Sequence, residues 1–255
     1  MALAALWTAP AAAVQAGGST AAPSLPAGVL EALALSAGYV APARTLDDDG
    51  EIVGYGAEGD IEERSLTVFD VVHVTPAIDG GPAAVGDSLL LYRDAGDLRH
   101  PESDAVLGRI VVPTGVAVVT SLEGDVASAV VVDAFAPVVA GQGAQRLVRR
   151  LETALPAGER APGAGMVLGV RPRSAIVEPY AVVFLDLPAG GALAPGDDVA
   201  LVRSVVEDGR RLPEVEIGAA RVVDVGPDAA TAIVTRLGRS DLEVGDRYRR
   251  LEPAP

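Results

Sequence analysis

From Arg44 onward the chain is a succession of short apolar runs, mostly Val and Leu, each closed by Gly, Pro or Asp. LTVFDVVHV (66–74), DSLLLYR (87–93), VLGRIVV (106–112), GVAVVTSL (115–122) and VASAVVVDAF (126–135) each have the length of a strand. Between them stand GG-P (80–82), HPES (100–103), PTG (113–115) and EGD (123–125), all of them turn chemistry. No helical periodicity intervenes, and strands at this spacing predict an all-β sandwich or small barrel.

The pattern occurs twice. VGDSLLLYR at 85–93 returns as PGDDVALVR at 195–203, an offset of 110 that also lays Leu107-Gly108 over Ile217-Gly218. Further on the better offset is 103, with GVAVVTSLEGDVASAVV (115–131) over GAARVVDVGPDAATAIV (218–234). The change of offset predicts a loop about seven residues shorter in the second unit, since loops are where length changes are tolerated. Fixed-period similarity of this kind predicts two tandem β-barrel-like modules made by duplication.

Other segments separate the units. Leu147, Leu151 and Leu155 share one helical face in AQRLVRRLETAL, and PAGERAPGAG then has linker composition. The expected division is a first β-module at 44–143, a short helix with linker at 144–165, and a second β-module at 166–252. Ahead of them, residues 17–43 read as a flexible spacer, in which LEALALSAG (30–38) forms a short helix stopped by Gly38. Residues 1–16, MALAALWTAPAAAVQA, have the apolar core and the A-x-A-like end of a signal peptide, which predicts export. They lack its positive start, because no Arg precedes Arg44, so an Ala-rich tail is the alternative. No stretch is long and apolar enough to suggest a transmembrane segment.

Composition narrows the function classes. The net charge is −15 and no basic cluster offsets it, so nucleic acid and anionic membrane surfaces are poor partners. Cysteine is absent, which removes thiol catalysis, thiolate metal sites and disulfides together.

Candidate chemistry is sparse. Gly86-Asp87, Gly124-Asp125, Gly196-Asp197 and Gly245-Asp246 each adjoin an apolar run. Glycine tolerates positive φ there and the carboxylate bonds nearby amides, so these pairs read as structural turns rather than cation ligands. LDDDGEI (46–52) resembles the centre of a calcium loop but puts Thr45 and Gly56 where acidic ligands belong. A hairpin closed by Asp49-Gly50 is the simpler reading, and no metal is expected. His73 lies in a strand and His100 in a turn, with no metal-ligand spacing between them. No nucleophile elbow or phosphate loop is present, and neither catalytic residues nor a cofactor are expected. Should a catalytic pocket exist, His73 and Asp70 are the pair to look for. Polysaccharide binding usually needs exposed aromatics; the only Trp is Trp7, which leaves Tyr92, Tyr180 and Tyr248 as candidates in the modules.

These residues resemble a module of bacterial envelope proteins. The order of a GD turn, HPESDAVLGRIVV, a Val-rich strand pair and a final Gly turn is similar to the C-terminal region of flagellar assembly protein T. It is also similar to the region that follows the LysM domain in certain periplasmic LysM proteins. Gly86, Asp87, Pro101, Leu107, Gly108 and Asp125 carry the likeness in the first unit. Gly196, Asp197, Ile217, Gly218, Asp228, Gly245 and Asp246 carry it in the second. The first unit ends in Gly141-Gln142 instead of GD, the second lacks the His-Pro step, and no LysM motif is present. The resemblance implies an envelope setting. With the duplication, the signal-like start and the lack of a catalytic constellation, the expectation is an exported, periplasmic or envelope-associated, non-enzymatic protein for protein contact or envelope assembly. Peptidoglycan or polysaccharide binding is the alternative, and an enzyme the third reading.

Overall fold

The Val-rich runs form strands, and in the computed structural model of the chain these close into two six-stranded barrels. Residues 27–42, 46–47, 49–56, 66–147, 163–171, 180–187, 193–204, 206–207, 210–238 and 242–251 are described. The chain begins there with α1 (Ala27–Ala37) and β1 (Tyr39–Ala41). The first barrel and its additions comprise β2 (Gly50–Tyr55), β3 (Val71–Val74), β4 (Ala77–Ile78), β5 (Gly81–Pro82), β6 (Ser88–Arg99), β7 (Val106–Glu123), β8 (Val126–Ala134) and β9 (Gly143–Arg146). The second comprises β10 (Ala164–Arg171), β11 (Val182–Asp186), β12 (Asp198–Arg203), β13 (Val206–Glu207), β14 (Arg210–Arg211), β15 (Val215–Val225), β16 (Ala229–Leu237) and β17 (Arg247–Arg250).

Around the first barrel the order is β2-β3-β8-β7-β6-β9, and around the second β10-β11-β16-β15-β12-β17. Counted within each barrel, both read first, second, fifth, fourth, third, sixth. The registers agree as well. Leu91 opposes Gly115 and Tyr92 opposes Pro113, leaving Thr114 as a bulge, while Leu201 opposes Gly218 and Val202 opposes Glu216, leaving Ile217. The expected duplication is therefore visible strand by strand. The offset of 110 holds for β6 and β12, and 103 holds for β7 with β15 and β8 with β16. The difference falls in the connection from the third strand to the fourth, where a loop change was expected.

Several expected boundaries move, each for a physical reason. PTG (113–115) is no turn: β7 runs straight through it, and Pro113, which has no N–H to donate, sits at the bulge, where proline is tolerated in a sheet. Leu107-Gly108 has no counterpart at Ile217-Gly218, because it lies on the part of β7 that extends beyond the barrel. LTVFDVVHV is split by a turn at 67–70, so that only Val71–Val74 is strand. Residues 144–146, placed in the expected helix, belong instead to the closing strand β9, and beyond Leu147 that helix lies outside the described residues. Asp49-Gly50 does not close a hairpin, since β2 is flanked by β3 and β9.

Barrel interiors are lined by small and branched side chains, as a six-stranded closure leaves little room. Ile52, Val72, Val74, Leu89, Leu91, Val119 and Val131 fill the first, and Val167, Val183, Leu185, Val199, Leu201, Val222 and Val234 the second. The ends are stoppered differently. Tyr248 crosses the second interior and lies against Gly165, where a Cβ would come within 2.7 Å of its ring. Ala144 takes the place of Tyr248 in the first barrel, and Ile78 from the β4–β5 hairpin packs by Gly50, the counterpart of Gly165.

Helix α1 ends where expected, at Gly38 with φ +81, and Arg171 of β10 donates to the carbonyls of Ser36 (3.1 Å) and Ala37 (2.6 Å). Strand β1 then pairs with the protruding part of β7. Together α1, β1 and the β6–β7 arm cover one face of the second barrel, burying Ala37, Val40 and Leu98 against Leu168, Val182, Phe184 and Ile233. Gly169 makes room for Leu98 there. Burial follows the contact: β16 is buried on both faces over Ala229–Val234, whereas β8 alternates over Val126–Val131 with one face partly exposed. No helix among the described residues is long and apolar enough to cross a membrane.

Across the β6–β9 pair, Tyr92 stacks so closely on Gly143 that a Cβ at 143 would overlap its ring. Gly143→Ala is expected to destabilise the chain by roughly 2–3 kcal/mol through overpacking. Combined with Tyr92→Ala, the two losses should fall short of their sum by about 1 kcal/mol in urea denaturation.

Candidate functional site

One turn recurs at the start of strands. In Ala84–Asp87 the Asp87 N–H donates to the Ala84 carbonyl (3.0 Å) while the Asp87 carboxylate accepts the Ala84 N–H (3.0 Å). The same two bonds join Asp197 to Ala194 and Asp246 to Glu243. The third residue has positive φ each time, +93 at Gly86, +94 at Gly196 and +95 at Gly245, as a type II turn requires. A fourth copy, Thr67–Asp70, has both bonds and a positive φ of +74, but its third residue is Phe69. A bulky side chain in that region costs about 1–2 kcal/mol. Nothing is recovered by burial, since Phe69 is 83% exposed.

Phe69 has a counterpart. Its N–H donates to the Val131 carbonyl, and the N–H of Tyr180 donates to that of Val234, the equivalent position. Tyr180 is also left-handed (φ +71) and 39% exposed. Each barrel thus holds out one aromatic ring, just before its second strand, on backbone that disfavours side chains.

A second feature lies on the first barrel. A cleft of about 270 Å³ is lined by Leu46, Asp47, Tyr92, Arg93, Asp94, Arg109 and residues 141–143. Of its two lining carboxylates, Asp94 pairs with Arg109 and caps the Gly96 N–H, while Asp47 is exposed; Asp49, off the lining, accepts the Tyr92 hydroxyl at 2.5 Å. Gln142 is buried, accepting from Thr114 and donating to the Pro137 carbonyl. Arg93 is exposed, and no hydrogen bond or ion pair holds it among the described residues. Arg109 carries a buried Nε with no acceptor. The same place in the second barrel is closed, for Arg203, equivalent to Arg93, forms a bidentate pair with Asp246, equivalent to Gln142, both contacts at 2.7 Å.

The residues singled out by sequence fall as follows. Gly86-Asp87, Gly196-Asp197 and Gly245-Asp246 are the turns just described. Gly124-Asp125 is a two-residue hairpin turn between β7 and β8 with Gly124 at φ +57. Tyr92 and Tyr248 are 4% and 1% exposed, and their rings cover glycines, so the surface role expected of them passes to Tyr180 alone. His73 bonds Ser128 across β3–β8 (Nδ1 to Oγ, 3.0 Å), and His100 accepts the Glu102 N–H within its loop. Neither His73 nor Asp70 lines the cleft. Phe69 was missed because it sat inside an apparent strand, although the T-x-F-D spacing matches the x-x-G-D turns. Arg93 was missed because its significance lies in an absent partner. No protein-family model matches the chain, and no curated protein matches it.

Arg146 holds the first barrel's closure. It donates to Asp87 (3.3 Å) and to the carbonyls of Ile78 (2.7 Å) and Pro82 (2.6 Å), tying β9 to the aspartate turn and the β4–β5 hairpin. Arg146→Ala is expected to cost about 2–3 kcal/mol in chemical denaturation. Burial pushes the Tyr92 and Tyr248 hydroxyls above the usual tyrosine range, Asp49 adding to the first and Asp186 to the second. A raised folded value keeps the proton on the native state. Stability is therefore full below about pH 10 and falls as the unfolded phenols ionise above it, by about 1.4 kcal/mol per pH unit for each. Tyr92→Phe should flatten that alkaline decline in denaturation profiles.

Proposed function

We propose that the protein is an exported, non-enzymatic component of the cell envelope whose paired barrels make contact with a partner protein. The observation that carries the reading is the placement of Phe69 and Tyr180. Two exposed rings at one equivalent position, both on unfavourable backbone, present the same contact element twice along one chain. Strain at an exposed side chain points to a role outside the fold. Two linked contacts also raise avidity well beyond either alone when a partner engages both. Export is supported by the signal-like residues 1–16, and the envelope setting by the resemblance to envelope modules. The peptidoglycan alternative rests on the same rings, since exposed aromatics also stack on sugars.

The test is site-specific photo-crosslinking in the envelope from positions 69 and 180, with the exposed Val53 as control position. The expected result is one protein adduct shared by 69 and 180 and missing at 53. Salt-resistant co-sedimentation with purified peptidoglycan sacculi, lost in the Phe69→Ala and Tyr180→Ala double variant, would replace the protein partner with the cell wall. Turnover of a substrate would overturn both. Phe69→Gly supplies a further check: it should leave the fold intact and raise stability by about 0.5–1 kcal/mol, the relief of strain less the entropy of a new glycine. The same variant should lose the adduct formed from position 180 if both rings serve one partner.

A further inference from the structure

A partly buried ion pair of the second barrel has no counterpart in the first. In the second, the Asp246 carboxylate lies across the Arg203 guanidinium in bidentate geometry, and Asp246 is buried. In the first, strand register and bulge place Arg93 as Arg203 is placed, but position 142 holds a neutral amide turned to Thr114 and Pro137. Position 143 is glycine where the second barrel has Arg247, which removes a side chain from the same spot. What remains is an open cleft in which, among the described residues, no carboxylate or other acceptor is assigned to the Arg93 guanidinium and the Nε of Arg109 finds none.

We propose that this cleft is a carboxylate-binding site, in which a peptide carboxylate takes on Arg93 the place that Asp246 occupies on Arg203. Planar guanidinium and carboxylate match in a two-bond fork, which makes arginine the usual reader of this group. The nearby acids do not compete: Asp94 is held by Arg109 and Asp49 by Tyr92. Asp47, exposed on the lining, offers an acceptor for a peptide N–H, which favours a peptide over a simple acid. At about 270 Å³ the cleft lies just under the range of about 300–1,000 Å³ that encloses a drug-sized ligand, a size suited to a terminus or one acidic side chain. The proposal extends the contact reading by naming a chemical group. Its test is separable from that of the aromatic rings, because Phe69→Gly leaves Arg93 in place.

The experiment is an NMR titration of the isotope-labelled chain, observing the Arg93 Nε–H and the Gly143 amide. Three probes are used: acetyl-Ala-Ala with a free C-terminal carboxylate, the same peptide amidated, and acetyl-Asp amidated at its C-terminus. Saturable shifts with the first or third peptide, at least fivefold weaker with the amidated Ala-Ala, are expected, and the stronger of the two identifies a terminal or a side-chain carboxylate. Arg93→Gln, at an exposed side chain, should weaken binding at least tenfold without lowering Tm. Gln142→Asp, which supplies the carboxylate internally, should weaken it as much. Equal shifts with the amidated peptide, undiminished binding by Arg93→Gln, or glucuronate binding as tightly as either peptide would each overturn the proposal.

Discussion

Closure of each barrel hangs on one small constraint, an aspartate that completes the turn before its own strand. Its carboxylate takes the N–H of the residue three places earlier, and glycine supplies the positive φ that the turn demands. The same carboxylate then faces an arginine on the last strand: Arg146 reaches Asp87, and Arg250 lies 4.0 Å from Asp197. Turn geometry and barrel closure are thus bound through a single side chain. Hydrophobic filling alone would not fix which strand follows which, because Val and Ala interiors are nearly interchangeable from one strand to the next. The charged group at the turn adds a side-chain tie between the third strand and the sixth, which their backbone ladder already joins.

Against that shared frame the departures become informative. Phe69 stands where glycine belongs, and Gln142 where aspartate belongs. Each forfeits something local, a relaxed backbone in one case and a buried ion pair in the other. Other differences between the barrels have evident compensation within the fold. Ile78 and Tyr248 fill equivalent interior space by different routes. The longer β6–β7 arm covers a face of the second barrel that the first leaves partly exposed. Phe69 and the Arg93 cleft have no such internal return, which is why function is sought at them.

Much of the fold was legible in the residues. Gly-Asp pairs beside apolar runs marked the turns, and the shift of offset from 110 to 103 located the length difference between the modules. Gly38 marked the end of α1. What escaped was long-range or negative information. A proline inside a strand looks like a turn until the pairing with the neighbouring strand shows it beside a bulge in its own strand. Leu147 looked helical in sequence, yet β9 just before it is drawn into a sheet by β2 and β6, a tertiary pull that local periodicity does not carry. Tyr92 and Tyr248 read as surface rings because nothing local foretells a glycine on the neighbouring strand. Of the candidate sites, the strained aromatic was encoded in a four-residue turn pattern, whereas the open cleft exists only by comparison with its closed counterpart.

The strand order has a temporal consequence. In both barrels the sixth strand is seated between the first and the third, β9 between β2 and β6 and β17 between β10 and β12. A chain emerging from the ribosome therefore holds five strands of the first barrel in a sheet with two open edges until Gly143–Arg146 appears. At ordinary translation speeds the interval from the first strand to the last is on the order of ten seconds. Unpaired edges are the usual nuclei of aggregation. The second barrel repeats the vulnerability and is completed only by Arg247–Arg250, its sixth strand. A chain broken off before Arg247 would be left permanently half-made, and quality control in the cell would read it as unfolded.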